Sequence, residues 1–546
     1  MTGIKVKGRK RYYWWNNWAG IACLVLILVA TPILTIVFKL FDTPGTHWEY
    51  ISSRLYSVYL SGTLLILLGV ALCTLVIGVG MAWLVSAYDF PGRKELEWLL
   101  ILPLAFPSYM MAYAYVGLLE FTGPVHTFIR QFTGWKINGP LIDIMNTPGA
   151  IFIFSMSLFP YVYVVCRTSF ISRSREVQEA AYLLGSSSLQ TFFRIALPLA
   201  RPAIAGGIAL ASMEVLNDYG TVKYFGLDTF TTGIFRAWFS FGDLNTGVRL
   251  AAMLTILVMV LIWLEHKSRG NRGWVTRSTS SSPPLRTPLK GSGLFIGGLA
   301  GIAVLCISFI FPLAQLVYWV IQTAHKIINH EFWILVLRSF TLATFTSMLI
   351  VILATILLYA LRLSTFGWIR YVTGIASLGY AIPGAVIAVG VMSPTIGFDK
   401  WLLAMKGGNG GLLLSSTVFM LIFAYCVRFM AVGYNAIDAG FQKTGKHVNE
   451  AARTLGSNSW NTLWKVDLPI VKNSIAAGLL LTFVDVIKEL PLTLILRPFN
   501  FHTLATKAFD MATNEQVPEA ANASLIVILT GVIPIILLNR IIRNKA

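Results

Sequence analysis

Apolar stretches about as long as a membrane-crossing helix recur through this chain, near residues 19–41, 57–88, 97–119, 148–170, 203–224, 248–265, 294–322, 334–361, 371–393, 411–432, 474–496 and 521–541. Apolar residues make up 56% of the 546, charged ones only 12%, and the mean hydropathy is +0.70. No water-soluble fold hides that much apolar surface, so the expected fold class is an all-α integral membrane protein of about 12 transmembrane helices. Lys5, Lys7, Arg9, Lys10 and Arg11 precede the first run in the manner of a signal peptide. That run is too long for one and has no small-residue cleavage site, and it reads as the first span.

The net charge of +19 raises nucleic acid as a partner, but the basic residues are scattered between apolar runs and form no stripe with stacking aromatics. A lipid bilayer explains them; nucleic acid does not. With the N-terminus inside, about 29 of the 43 Lys and Arg fall in cytoplasmic segments, as the positive-inside rule requires, and an even number of spans then puts both termini in the cytoplasm. Residues 266–292, rich in Ser, Pro and Arg, read as a cytoplasmic linker between a first half, 1–265, and a second, 293–546, each of six spans. The outside loops, the largest at 120–147, are too short for an extracellular domain. The five cysteines all lie in apolar runs without a CxxC pair and read as packing residues.

The two halves are related. EAAYLLGSSSLQTFFRIALPLARPAIAGG begins at Glu179, and EAARTLGSNSWNTLWKVDLPIVKNSIAAG begins 271 residues later at Glu450, with 13 identities over 29 positions. Each copy sits in the loop before the fifth span of its half. Each reads as a short helix opened by an acid, a glycine break and a second short helix.

These residues resemble the permease subunits of binding-protein-dependent ABC importers, whose cytoplasmic EAA loop carries a glycine six residues after the glutamate. The matching residues are Glu179, Ala180, Ala181 and Gly185 in the loop near 179–207, and Glu450, Ala451, Ala452 and Gly456 in the loop near 450–478. The resemblance implies a type I importer (MetI-like) permease fold of two pseudo-symmetric six-helix halves in the inner membrane. It implies that each loop is a coupling helix seated on one subunit of a homodimeric ABC ATPase, and that an extracytoplasmic, periplasmic binding protein delivers the cargo. Residues 102–119, 217–239 and 488–506 are similar to the fused ferric iron permeases, so ferric iron is the expected cargo. Thiamine and aminophosphonate permeases share the machinery and stand as alternatives.

The nearest approach to a phosphate loop, Gly440 to His447, ends in His447 where a magnesium-binding hydroxyl belongs and follows a membrane span instead of a strand. No HExxH or GxSxG occurs. The chain therefore reads as a transport subunit and not an enzyme, binding no cofactor itself, with ATP and magnesium held by the separate ATPase. An ion-gradient-driven secondary transporter, also built from repeats with intramembrane acids, is the rival of another class; it has no use for a doubled docking loop.

Charges inside a span are costly and usually functional or paired. Glu214 and Asp218 recur at the same offset as Asp485 and Glu489, two acids placed for one helix face in each half. They are the candidate translocation pathway, oxygen donors suited to a hard cation. The competing reading pairs Lys488 with Asp485 and Lys223 with nearby acids. Tyr109, Tyr113 and Tyr115 offer further oxygens, although tyrosines of membrane proteins commonly serve as interfacial anchors. The seven histidines form no ligand pattern, so no permanent metal site is expected. Pro103, Pro107 and Pro383 are expected to break helices, and Gly206, Gly207 and Gly478 to mark close helix contacts.

Overall fold

The computed structural model describes residues 17–134, 142–183, 185–269, 286–363, 379–405, 414–415, 417–445 and 447–543, with the backbone alone for 17, 19, 172–183, 269, 292, 444 and 538–543. Among these residues, 10 helices are long and apolar enough to cross a membrane, and two bent pairs raise the number to 12. Leu65, Leu68, Leu72 and Val76 stay exposed at helical spacing along Tyr56–Ala87. Such a stripe suits lipid, not water.

Prolines set where spans break. The third span is bent, its segments Arg93–Ala105 and Ser108–Thr133 meeting at 96° around Pro107; Pro103 lies in the 3-10 turn Leu102–Ala105, and the second segment is itself two helices, Ser108–Leu119 and Pro124–Thr133. Pro383 directly precedes the helix Gly384–Met405. Of the expected ninth span, 371–393, residues 371–378 lie outside the described residues; the helix that starts after Pro383 runs on to Met405, because a residue without an N–H is at home at a helix start and not in its interior.

The fifth span of each half shows the repeat most plainly. Phe192–Ala196 and Leu463–Asp467 are both π-turns, 271 residues apart, just ahead of Pro198 and Pro469. A proline pushes on the carbonyl four residues back, and a turn bonded five residues back makes room for it. The first half then bends by 69° before Arg201–Asn217, where Pro202 opens the new helix; the second half has Asn473 there, and Leu468–Lys488 continues unbroken. Both helices stop at equivalent residues, Asn217 and Lys488, and short helices Gly220–Tyr224 and Pro491–Leu496 follow. The stretches 203–224 and 474–496 are thus broken spans.

Beyond each break a threonine capping box, Thr229 with Thr232 and Thr503 with Thr506, starts a further short helix. Thr63 and Ser339 tie these helices down, accepting from the Phe230 N–H at 3.1 Å and the Leu504 N–H at 2.9 Å.

Two compact units result, one of Met1–Thr31, Thr344–Tyr380 and Tyr425–Phe483, the other of the remainder. In the first, Gly433 lies so close to Ile350 that a Cβ would approach its Cγ2 to 2.9 Å. In the second, Gly78 and Gly207 both face Val162, where a Cβ would fall 2.7 Å from its Cβ and Cα respectively; small residues let these helices meet. Gly478 makes only ordinary contacts, the nearest 3.5 Å away. At the linker's end, Thr287–Pro288 pairs in parallel with Tyr88–Asp89; linker residues 270–285 lie outside the described residues.

Candidate coupling loops and intramembrane site

In the second half, Thr444 ends the fourth span, Gly445 takes a positive φ of 67°, and His447–Thr454 forms a separate helix with Glu450 in its first turn. Gly456, at φ 87°, closes it: its N–H donates to the Arg453 carbonyl at 3.1 Å, and the Ser457 N–H reaches the Ala452 carbonyl at 3.2 Å. This is the Schellman arrangement, in which a left-handed glycine satisfies the last carbonyls of a helix. Glu450 and Ala451 are exposed, Ala452 is half-buried, and Leu455 at the tip is 89% exposed.

The first half differs from the expected short helix. Its fourth span runs on as one helix, Thr147–Leu183, through Glu179, Ala180 and Ala181, whose side chains lie outside the described residues. The position equivalent to Gly445 is Ser174, so nothing interrupts the helix. Gly185 takes φ 79°, as its partner glycine does.

Equivalent residues then start the next helix. Ser187 accepts from the Gln190 N–H at 3.3 Å, and Asn458 Oδ1 from the Asn461 N–H at 2.7 Å. One tyrosine in each half fastens this turn to the end of the second or eighth span: Tyr88 meets Ser188 Oγ at 2.7 Å, and the Tyr359 hydroxyl donates to the Ser459 carbonyl at 2.5 Å. The second loop has an extra clasp. Asn449 Nδ2 donates to Asp467 Oδ2 at 2.7 Å, both side chains are buried, and Arg362 Nη2 lies 3.7 Å from Asp467 Oδ1. Position 196 of the first half, equivalent to Asp467, is alanine.

The four acids expected to line a pathway do not lie two to a helix face. Asp218 and Glu489 fall just past the helix ends, and Asp218 is extended, with φ −70° and ψ 126°. Each accepts a hydrogen bond from the N–H three residues on, Thr221 to Asp218 Oδ1 at 2.7 Å and Leu492 to Glu489 Oε1 at 3.1 Å, so that a carboxylate caps the positive end of the following short helix. Asp485 pairs with Lys488 at 2.8 Å. The Lys488 ammonium also acts electrostatically on Glu214 and Tyr161, and the Tyr161 hydroxyl donates to Glu214 Oε1 at 3.3 Å. The acids thus form two groups: Glu214 and Asp485 share one cation, while Asp218 and Glu489 act together on the Tyr109 hydroxyl.

Tyr109 and Tyr113, expected as interfacial anchors, are 3% and 1% exposed, and their hydroxyls have no hydrogen-bond partner among the described residues. Leaving a polar group so buried costs about 1–3 kcal/mol. Tyr115 is different: its hydroxyl donates to the Ile307 carbonyl. Beyond Leu119, where this helix ends, lies a cavity of about 1130 Å³ lined among others by Glu120, Lys223, Tyr224, Gln315 and Glu515. Among the described residues no three His, Cys, Asp or Glu side chains form a metal cluster.

Residues 74–264 and 370–545 match the family described as the binding-protein-dependent transport system inner membrane component. The chain belongs to that family. It is a multi-pass inner-membrane permease, with the family segment present twice. An Fe(3+)-transport system permease protein of Haemophilus influenzae is 25% identical over 529 residues, 95% of this permease and 97% of that protein. A putative ferric transport system permease of the same organism is 23% identical over 70% of this chain and 61% of its own length. A sulfate transport system permease of Escherichia coli is 28% identical over 38% of this permease and 71% of its own length.

Proposed function

We propose that this permease carries ferric iron across the membrane as the transmembrane subunit of an ATP-driven importer. The observation that carries the reading is the end-to-end likeness to a relative named for Fe(3+) transport, in a chain whose two halves each present a glycine-closed loop at equivalent positions. The sulfate permeases align with little more than a third of the chain and favour that cargo less; thiamine and aminophosphonates remain the organic alternatives.

In this reading a homodimeric ATPase binds ATP and magnesium and docks one subunit under each loop, at Glu179 to Gly185 and Glu450 to Gly456. The permease binds no cofactor and breaks no bond. Both termini lie on the ATPase side, in the cytoplasm, and a periplasmic binding protein docks on the opposite face, where the cavity beside Tyr224 opens. Closure of the ATPase dimer moves the loops, and the tyrosine ties at Ser188 and Ser459 pass that movement to the spans.

ATP hydrolysis by the reconstituted complex tests it. Ferric-loaded binding protein stimulates hydrolysis, and a Glu179→Arg, Glu450→Arg double variant abolishes the response. Stimulation by a sulfate- or thiamine-loaded protein in its place overturns the cargo; an unchanged response in the double variant overturns the role of the loops.

A further inference from the structure

We propose that Tyr109 and Tyr113, together with the carboxylates of Asp218 and Glu489, form the site at which a hard trivalent cation is held in transit through the permease. This rests on the ferric reading above and names the residues that perform it.

The site is built from both halves of the repeat. Gly220, at the start of the short helix after Asp218, lies against Tyr109 Cβ and Leu490 Cδ2; a Cβ on it would fall 2.7 and 2.8 Å from them. The chain just after Asp218 thereby packs against both Tyr109 and the chain just after Glu489, and the two carboxylates lie within electrostatic reach of the Tyr109 hydroxyl. Two adjacent buried hydroxyls with no partner among the described residues are an unusual thing for a membrane helix to keep. A visiting ligand that accepts oxygen donors accounts for both.

The Tyr109 and Tyr113 rings lie 5.8 Å apart, and Tyr113 meets Tyr224 edge-on at 4.6 Å. Tyr224 also lines the cavity that holds Glu120 and Glu515. It therefore lies between that cavity and the buried pair.

The chemistry selects the cargo. Phenolate and carboxylate oxygens are hard donors, and a ferric ion is a hard acceptor. As the ion binds a phenol oxygen, the O–H bond breaks, its electron pair stays on oxygen, and the proton is taken by water, leaving both carboxylates ionised as donors; it returns when the ion leaves. Both carboxylates are already engaged with helix N–H groups. Their grip on the ion is correspondingly weak, as conduction requires.

The test uses the assembled complex with Tyr109→Phe, Tyr113→Phe and the pair of substitutions. Phenylalanine keeps the ring contacts and removes only the unpartnered hydroxyls, so thermal stability holds or rises. Ferric uptake falls, by roughly tenfold for the loss of one donor worth about one decade in affinity, while ATP hydrolysis stimulated by the binding protein persists. Tyr115→Phe, which loses a bond to the Ile307 carbonyl, leaves uptake unchanged. Wild-type uptake of iron with no loss in the double variant overturns the site and leaves the ferric reading standing; no iron uptake by the wild type overturns the ferric reading itself.

Discussion

Asn449 is hydrogen-bonded to Asp467 across 18 residues of chain, and this buried contact ties the helix His447–Thr454 to the start of the eleventh span. Asn449→Leu leaves the Asp467 carboxylate buried without its amide donor, at a cost of about 1–3 kcal/mol. The melting temperature of the purified complex falls, and ATP-driven uptake falls with it. Because residue 196 is alanine, substitutions there have no such effect; equal losses from both loops would contradict the asymmetry.

At Gly185 and Gly456 an added Cβ would meet nothing within 4 Å, so the penalty for substitution is conformational alone. A β-branched residue held at φ 79° or 87° costs roughly 1–2 kcal/mol, and asparagine, which tolerates the left-handed region, costs less. Coupled ATP hydrolysis therefore ranks Gly, then Asn, then Val at both positions. Valine performing as well as glycine would show that the turn is not required.

Lys488 is the cation shared by Asp485 and Glu214. Removing one partner of such a pair within the membrane is severe, roughly 3–5 kcal/mol. Lys488→Met is expected to lower the yield of folded protein and its melting temperature, and adding Asp485→Asn to restore part of both. A single variant as stable as the wild type would mean that the cluster is well hydrated.

Asp243, the residue just ahead of the helix Leu244–Arg269, caps the sixth span, accepting from the Thr246 and His47 N–H groups at 3.0 Å each and from Thr246 Oγ1 at 2.8 Å. Burial pushes its carboxyl pKa up, but the bonds from His47 and Thr246 outweigh burial and hold it below the usual value. A depressed acid stabilises above its unfolded pKa of about 3.9 and loses that contribution as pH falls through the lower folded value. Protection of the His47 and Thr246 amides from hydrogen exchange, taken relative to the intrinsic rate at each pH, persists down to that pH and is lost below it, whereas Asp243→Ala lowers it for both at neutral pH, for about 0.5–2 kcal/mol. Release of both amides well above pH 3.9 would contradict the cap.

Much of this was legible because the repeat keeps its register. The offset of 271 read from the EAA loops also relates the π-turns, the helix ends at Asn217 and Lys488, and the capping carboxylates. The Asp485 to Lys488 pair was legible too, being local on one helix. The break after Asn217 was not: Glu214 and Asp218 have helical spacing, and only the neighbouring Gly220 and, in the second half, Pro491 hint that the helix stops. Tyr161 bonding Glu214, 53 residues on, left no periodic trace. Tyr109 and Tyr113 resembled interfacial anchors because sequence reports a tyrosine's type but not what surrounds its hydroxyl. The first EAA segment misled for a similar reason, since the motif is doubled but the glycine ahead of the second helix, Gly445, is not.

The most direct measurement is uptake of radiolabelled ferric iron by proteoliposomes that contain the permease with its ATPase and binding protein, with ATP inside and no ion gradient. The account predicts uptake that requires ATP and the binding protein and is indifferent to excess thiamine or sulfate. Uptake driven by a proton or sodium gradient without ATP, or none at all for iron while an organic cargo enters, would contradict it.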